Sequence, residues 1–442
     1  MLFIRVGKEV AVEPSLMVIG VNHRTAPVAT RERFWISEKR RYEALAELAQ
    51  AEGIEEVMVL STCARTEFLL WSTDVTLAAN SVMRLLSAQC GLKLSEWENF
   101  YRHLDDAALL HIFRLAAGLD SVVSGDTQIV SQLKESWRQA QKMNTAGRYL
   151  DAVIQKAMRV SERIRCDSKI DFPQFSIADA AVKVARQVFG SLQEKKLLLI
   201  GAGRISELCA KSLLDQGARS IGVISRTIEH AGELAEKLGS RGIPLEDRWQ
   251  HMAQADVIVS STSCPHTVLS RAEAESMVQG REAPLVIVDV AMPRDIDPDV
   301  RKVPGVRLYD LDDVKGVIDE NSFGREMAEV EAEKILHAEA REFRRSLAAQ
   351  RVIPTIVALR QRLDEICRQE LDSYRAENGP FTQDQNEMLN AIMVRMTQRI
   401  TGSLARELKE LPEQMDQDQM TFAVQRLFHL HAPEMAIAGT TS

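Results

Sequence analysis

In the stretch Ser61-Thr62-Cys63-Ala64-Arg65-Thr66-Glu67, a thiol stands two residues from a guanidinium and among three hydroxyls. A neighbouring cation favours thiolate over thiol, and thiolate is the reactive form, so Cys63 is a candidate nucleophile. Cysteine is also a small apolar side chain that cores accept, and position alone leaves that reading open. A second pattern lies downstream, where Gly201-Ala202-Gly203 follows the apolar run LLLI and precedes a helical stretch. Glycines at such a turn let backbone approach a pyrophosphate, and the helix N-terminus adds amide donors and partial positive charge. Ser206 replaces the third glycine of GxGxxG, so the candidate phosphate loop reads Gly201, Ala202, Gly203, Arg204, Ile205, Ser206. After the next strand come Ser225, Arg226 and Thr227, where an NAD-binding chain usually has an acidic residue for the ribose. A guanidinium with two hydroxyls suits a 2′-phosphate and favours NADPH. A solvated arginine opening a helix is the plainer reading of Arg226.

These residues need elements to hold them. Runs of β type at 15–22, 55–62 and 66–73 surround a helical stretch at 38–52, which places residues 62–65 in a tight connection between two strands. From 74 to 169 the pattern is helical, and the proline of DFPQF at 171–175 marks a boundary. Residues 195–313 alternate apolar strands with helices, the pattern of a parallel sheet covered on both faces. From Glu320 the chain is helix-forming, with a stripe through Met327, Val330, Lys334, Phe343 and Leu347, and Pro354 is expected to start a new helix or kink the old one. A polar stretch, 372–385, precedes two more amphipathic segments that end near Leu430.

A chain of 442 residues is too long for one core. With 45% hydrophobic, 27% charged and 5% aromatic residues, its composition is that of a soluble, helix-rich protein. No apolar run approaches the ~18 residues that span a bilayer, and the N-terminus lacks a secretory h-region, so a cytoplasmic location is expected, without membrane association. The cysteines at 63, 90, 166, 209, 264 and 367 lack CxxC pairing and are spread widely, and read as free thiols with no metal site. A net charge of −8 argues against general coating of nucleic acid, including DNA, yet a local basic face can still dock a phosphate backbone. Lys156, Arg159 and Arg163 form such a stripe, with Arg165 and Lys169 close by; an ordinary solvated helix has the same look.

Together the motifs resemble glutamyl-tRNA reductase. The resemblance runs through Gly20-Val21-Asn22-His23-Arg24-Thr25-Ala26-Pro27 with Arg31-Glu32, STCARTE at 61–67, GLDSVVSGDTQI at 118–129 with Gln132, GAG at 201–203 and DVAMPRDIDP at 289–298. It covers about residues 16–320 and extends more loosely to the end. It implies an α/β multidomain chain: an N-terminal α+β catalytic domain over 1–170, a Rossmann-type NADP-binding domain over 171–315 and a C-terminal α-helical dimerisation domain over 316–442. Cys63 would take the glutamyl group as a thioester, and His103, in FYRHLDD, would tune the thiol or shuttle a proton, its plain reading being a surface histidine. Substrate contacts would fall on Thr62, Ala64, Arg65, Ser121, Asp126, Thr127, Gln128 and Gln132, with Arg65 gripping a carboxylate in a two-pronged geometry. The product would be glutamate-1-semialdehyde, the precursor of 5-aminolevulinate and tetrapyrroles.

The resemblance also implies a homodimer, hinges near 171–190 and 313–325, and handover of the labile product to an aminomutase. The chain departs from the family at Ala64, where Asn is usual, at Gly125-Asp126-Thr127-Gln128-Ile129, where Gly-Glu-Pro-Gln-Ile is usual, and at Arg399-Ile400-Thr401-Gly402-Ser403-Leu404, where Leu-His-x-Pro-Thr is usual. Two other functions fit parts of the chain. One is a tRNA- or partner-binding paralogue without the reaction, suggested by Ala64, Asp126 and Ser206. The other is an NADP-dependent dehydrogenase of a small free metabolite, of the shikimate dehydrogenase type, which leaves Cys63 and residues 118–132 unexplained.

Overall fold

The computed structural model describes residues 14–121, 128–167, 177–262, 264–319, 326–409 and 417–430. They fall into two compact units that divide between His337 and Ala338. The first unit contains two sheets of opposite character. Strands β1 (Ser15–Asn22), β2 (Ile54–Ser61), β3 (Arg65–Ser72) and β4 (Tyr101–Leu104) form an antiparallel sheet in the order β2-β3-β1-β4. Only three residues separate β2 from β3, so the connection expected at 62–65 is a hairpin turn with Cys63 at its centre. β4 corrects the helical reading of 74–169. Its four residues alternate between half-buried and exposed at a sheet edge, a pattern too short to register against the helices on either side.

The second sheet is parallel: β5 (Lys196–Ile200), β6 (Ser220–Ile224), β7 (Arg241–Ile243), β8 (Val257–Ser260), β9 (Leu285–Asp289) and β10 (Val306–Tyr309) lie in the order β10-β9-β8-β5-β6-β7. Successive residues along a strand serve opposite faces. Leu197, Leu199, Val223, Val257, Val259, Val286 and Val288 join one apolar cluster, and Leu198, Ile200, Ile224, Ile258, Leu285 and Ile287 join the other. The uninterrupted apolar runs of the sequence are therefore two interleaved faces, both covered by helices. Chain order reverses between β5 and β8, which makes their carboxyl ends the place where such sheets bind ligand.

Beyond the second sheet, a helix runs from Glu326 to Asn378, with Pro354 inside it. Of the two outcomes expected at Pro354, a new helix does not start there; the old one continues through it. The buried stripe also differs from the one expected: Ala332, Leu336, Ala340 and Phe343 are buried, whereas Val330 is 56% exposed and Lys334 is exposed. In the second unit, helices Gln383–Lys409 and Gln417–Leu427 complete a small core of Val352, Leu359, Leu408 and Val424. Of the two hinge stretches, 171–176 and 320–325 lie outside the described residues; Ile177–Phe189 and Leu311–Asp319 are helical.

Candidate active site

The turn that carries Cys63 is shaped by its neighbours' polar atoms. The Thr62 amide donates to the Arg65 carbonyl at 2.8 Å, and the Thr62 hydroxyl accepts from the amides of Ala64 and Arg65 at 3.2 and 3.3 Å. With both lone pairs engaged, that hydroxyl keeps only its proton for a ligand. Ser61 Oγ and Thr66 Oγ1 meet at 3.0 Å across the hairpin, and Ser61 also accepts from the Ile36 amide at 2.9 Å. The two hydroxyls flanking the turn are thus part of its architecture. The Cys63 carbonyl accepts from Arg31 Nη1 at 2.8 Å, and the half-buried Cys63 side chain packs against the apolar cluster that holds Val290, Met292 and Leu311. The nucleophile candidate therefore sits where the antiparallel domain meets the nucleotide-type domain.

Beneath the turn lies a buried charge cluster built across three strands. Register pairs Glu67 of β3 with Gly20 of β1, and Gly20 with Tyr101 of β4. A Cβ on Gly20 would stand 2.6 Å from Glu67 Cγ and 2.7 Å from the Thr66 carbonyl, so only glycine leaves room for the glutamate to cross β1. Across that gap Tyr101 donates its hydroxyl proton to Glu67 Oε1 at 2.5 Å. Arg65 Nη1 donates to Glu67 Oε1 at 2.7 Å and to Asp120 Oδ2 at 2.9 Å, while Nη2 bonds the Asp120 carbonyl. The helix Asp105–Ala116 brings His111 Nε2 to 3.2 Å from Glu67 Oε1, out of line for a hydrogen bond but close enough for charge interaction. Arg24 Nη1 lies 3.2 Å from Asp120 Oδ1 at the cluster's exposed edge.

Burial opposes every charge in this cluster, and proximity reverses the outcome. For Glu67 the pull of His111 and Arg65 overcomes desolvation and holds the carboxyl well below its usual range. For Arg65 the nearby Glu67, Tyr101 and Asp120 overcome burial and raise the guanidinium further. Asp120 is likewise lowered, with Arg65 outweighing its desolvation. Tyr101 is raised by burial and then by Glu67, so it remains a proton donor. The His103 ring stacks 4.9 Å from His111 and lies tilted 5.0 Å from Tyr101; burial, then His111, holds its pKa below the ordinary value.

This arrangement revises the expected role of Arg65. Its side chain is 1% exposed and both terminal nitrogens are engaged, so the two-pronged fork is closed within the protein. Only Nε lacks a partner among the described residues. Ser121 follows Asp120, and its hydroxyl likewise has no partner among them. Gln128 and Gln132 are half-buried on the helix Gln128–Lys142, Ala64 is half-buried in the turn, and Asp126 and Thr127 lie outside the described residues. Sequence reading missed Gly20, Arg24, Glu67, Tyr101, His111 and Asp120, although all but His111 stand within the quoted stretches.

At the nucleotide-type sheet, Gly201 has φ +107°, and a Cβ there would meet the Ser261 carbonyl at 2.8 Å. Gly203 caps the helix Arg204–Asp215, with nothing within 4 Å of its Cβ position. The loop is a backbone cradle at a helix N-terminus, the fit a pyrophosphate needs. Ala202 and Ile205 are half-buried, and Arg204 is exposed. Ser206 is 1% exposed and its hydroxyl meets Ser261 Oγ at 2.6 Å, so it joins the helix to the end of β8. Beyond β6, Arg226 is exposed, and Ser225 and Thr227 are half-buried with Thr227 at a helix N-cap.

Comparison with known proteins matches three family models: "Glutamyl-tRNAGlu reductase, N-terminal domain" over residues 19–168, "Shikimate / quinate 5-dehydrogenase" over 183–317, and "Glutamyl-tRNAGlu reductase, dimerisation domain" over 331–430. The glutamyl-tRNA reductase of Desulforudis audaxviator is 36% identical over 421 residues, 94% of each chain. That of Pelotomaculum thermopropionicum is 36% identical over 420 residues, 95% of each. Among solved structures, the Methanopyrus kandleri glutamyl-tRNA reductase aligns over 94% of this chain and 99% of its own at 26% identity, with a TM-score of 0.49. A thiol-bearing hairpin, a dinucleotide-type cradle and full-length relatives at this identity coincide in one chain, which belongs to the glutamyl-tRNA reductase family.

Proposed function

We propose that this protein reduces the glutamyl ester of tRNA to glutamate-1-semialdehyde through a thioester on Cys63, with NADPH as reductant, at the first step of the C5 route to 5-aminolevulinate and tetrapyrroles. The observation that carries this reading is the position of Cys63, in a hydrogen-bonded hairpin turn packed against the apolar cluster that joins Val28 to the nucleotide-type domain. The thiolate sulfur attacks the ester carbonyl; the C–S bond forms, the C–O bond to the ribose breaks, and the tRNA oxygen leaves with a proton. The ester is already activated, so no ATP is needed. His103, kept neutral by burial, is suited to take the proton of the Cys63 thiol and return it to the departing tRNA oxygen.

Gly201, Ala202 and Gly203 would hold the pyrophosphate, and Arg226 with Ser225 and Thr227 would take the 2′-phosphate. When bound, the dinucleotide supplies hydride to the acyl carbon. The C–S bond then breaks, the aldehyde leaves and Cys63 returns as thiolate. Arg65 acts by holding Asp120, and so Ser121, beside the turn. Arg159 and Arg163, exposed on the helix Arg148–Asp167, are proposed as tRNA phosphate contacts. The exposed apolar residues Ile392, Val394, Met396 and Ile400 support pairing of two copies through the second unit.

The test is to incubate the protein with radiolabelled glutamyl-tRNA, trap the acyl adduct, then add NADPH. Wild type should form an adduct that NADPH discharges to semialdehyde, and Cys63→Ser should form no thioester and no aldehyde. Aldehyde production by Cys63→Ser would overturn the assignment.

A further inference from the structure

Arg31 and Glu32 are adjacent on the short helix Val28–Phe34, and each reaches a different part of the nucleotide-type domain. Arg31 is 3% exposed and all three of its nitrogens are engaged: Nε donates to the Ala26 carbonyl at 3.1 Å, Nη1 to the Cys63 carbonyl at 2.8 Å, and Nη2 pairs with Asp312 Oδ1. Asp312 lies in the first turn of the helix Leu311–Asp319, and its other oxygen accepts the Val28 amide at 2.7 Å. Glu32 grips the loop after β9: Oε1 accepts the Arg294 amide at 2.6 Å, and Oε2 accepts Arg294 Nε at 2.9 Å with Nη2 at 2.8 Å. One guanidinium thus joins the backbone of the thiol turn to the end of the nucleotide domain. The next side chain clamps the loop at the carboxyl end of β9, where Val290 and Met292 belong to the cluster that Cys63 packs against.

We propose that Arg31–Asp312 and Glu32–Arg294 form a latch that holds the nucleotide domain against the Cys63 turn, so that discharge of the acyl group by reductant depends on the latch and its loading does not. Arg31 and Glu32 are positioning residues, since they act through the Cys63 carbonyl and the β9 loop. Glu32 and Arg294 meet in charge-assisted bonds that are only partly shielded, at 21% and 18% exposed, whereas Arg31 is buried. The proposal rests on Cys63 being the acylated thiol.

The experiment uses the full chain as Glu32→Ala, Arg294→Ala and the double variant, because none of these removes a bond to the Cys63 turn. Three quantities are measured: the rate of Cys63 acylation by glutamyl-tRNA without NADPH, NADPH affinity by fluorescence titration, and the rate at which NADPH discharges a preformed adduct. The latch predicts acylation and NADPH affinity within about twofold of wild type, discharge slower by about tenfold or more in each single variant, and a double variant no slower than the slower single one, the non-additivity of a coupled pair. Wild-type discharge rates in the single variants, independent additive losses, or a parallel fall in acylation would overturn the latch. Absence of any adduct in the wild type would instead remove the Cys63 reading on which it rests.

Discussion

The two sheets of the first unit treat polarity in opposite ways. In the antiparallel sheet a guanidinium and a carboxylate, Arg65 and Glu67, are 1% and 0% exposed on a single strand, with Asp120, Tyr101 and His111 closing around them. In the parallel sheet the middles of β5, β8 and β9 are apolar on both faces, and the polar groups wait at the carboxyl ends: Ser260 and Thr262 on Asp295, and Asp289 on the amides of Ala291 and Ile296. Buried ion clusters add little net stability compared with apolar packing of the same volume. The cluster under the Cys63 turn is therefore best understood as a positioning device for a side chain that forms a covalent bond. An exchangeable nucleotide needs no such fixing; a backbone cradle at the strand ends serves it.

The strongest way to break this contrast is to open the cluster from its centre. Arg65→Ala leaves Glu67 and Asp120 buried without their cation, and removing one partner of such a pair costs about 3–5 kcal/mol. Denaturant titration should show a loss of that size, and acylation of Cys63 should fall with it as Asp120 and Ser121 shift. A loss under about 1 kcal/mol would mean that water enters and that the cluster does not set the turn. The matching change on the parallel sheet is Gly201→Ala. At φ +107° and 2.8 Å from the Ser261 carbonyl, the added Cβ should cost about 1–3 kcal/mol of local strain and weaken NADPH binding at least tenfold. Acylation without NADPH should persist. Unchanged NADPH titration would place the nucleotide elsewhere.

The parallel sheet was legible because its signal is local: LLLI, VIVS and LVIVD are apolar runs that carry their own assignment. The thiol was legible for the same reason, a guanidinium two residues away. What that guanidinium does was not, because its partner Asp120 lies 55 residues downstream and arrives on a separate element. β4 escaped because YRHL is four residues long and is held by pairing with Met17 to Gly20, not by any preference of its own. The latch is further still from local sequence: Arg31 meets Asp312 across 281 positions and Glu32 meets Arg294 across 262. The contact of Ser206 with Ser261 was not legible either, because the two hydroxyls lie 55 positions apart.

The smallest expected effect sharpens the contrast at the rim of the cluster, where His103 is half-buried beside His111, with Glu67, Asp120 and Arg114 as the other charges acting on it. Burial, then His111, depresses its folded-state pKa below the ordinary 6.5, so the unfolded chain takes up a proton at higher pH than the native one. The neutral ring's contribution to stability is therefore complete above about pH 6.5 and is lost as pH falls through the folded value. Urea midpoints measured at pH 7.5 and 5.5 should drop further for wild type than for His103→Gln, because every other titrating group is common to both chains. The difference should be modest, since solvent reaches the ring and screens its neighbours. A variant whose midpoint drops as steeply as wild type would show that the imidazole is not held neutral, and would remove the basis for assigning it the transfer of the thiol proton to the departing tRNA oxygen.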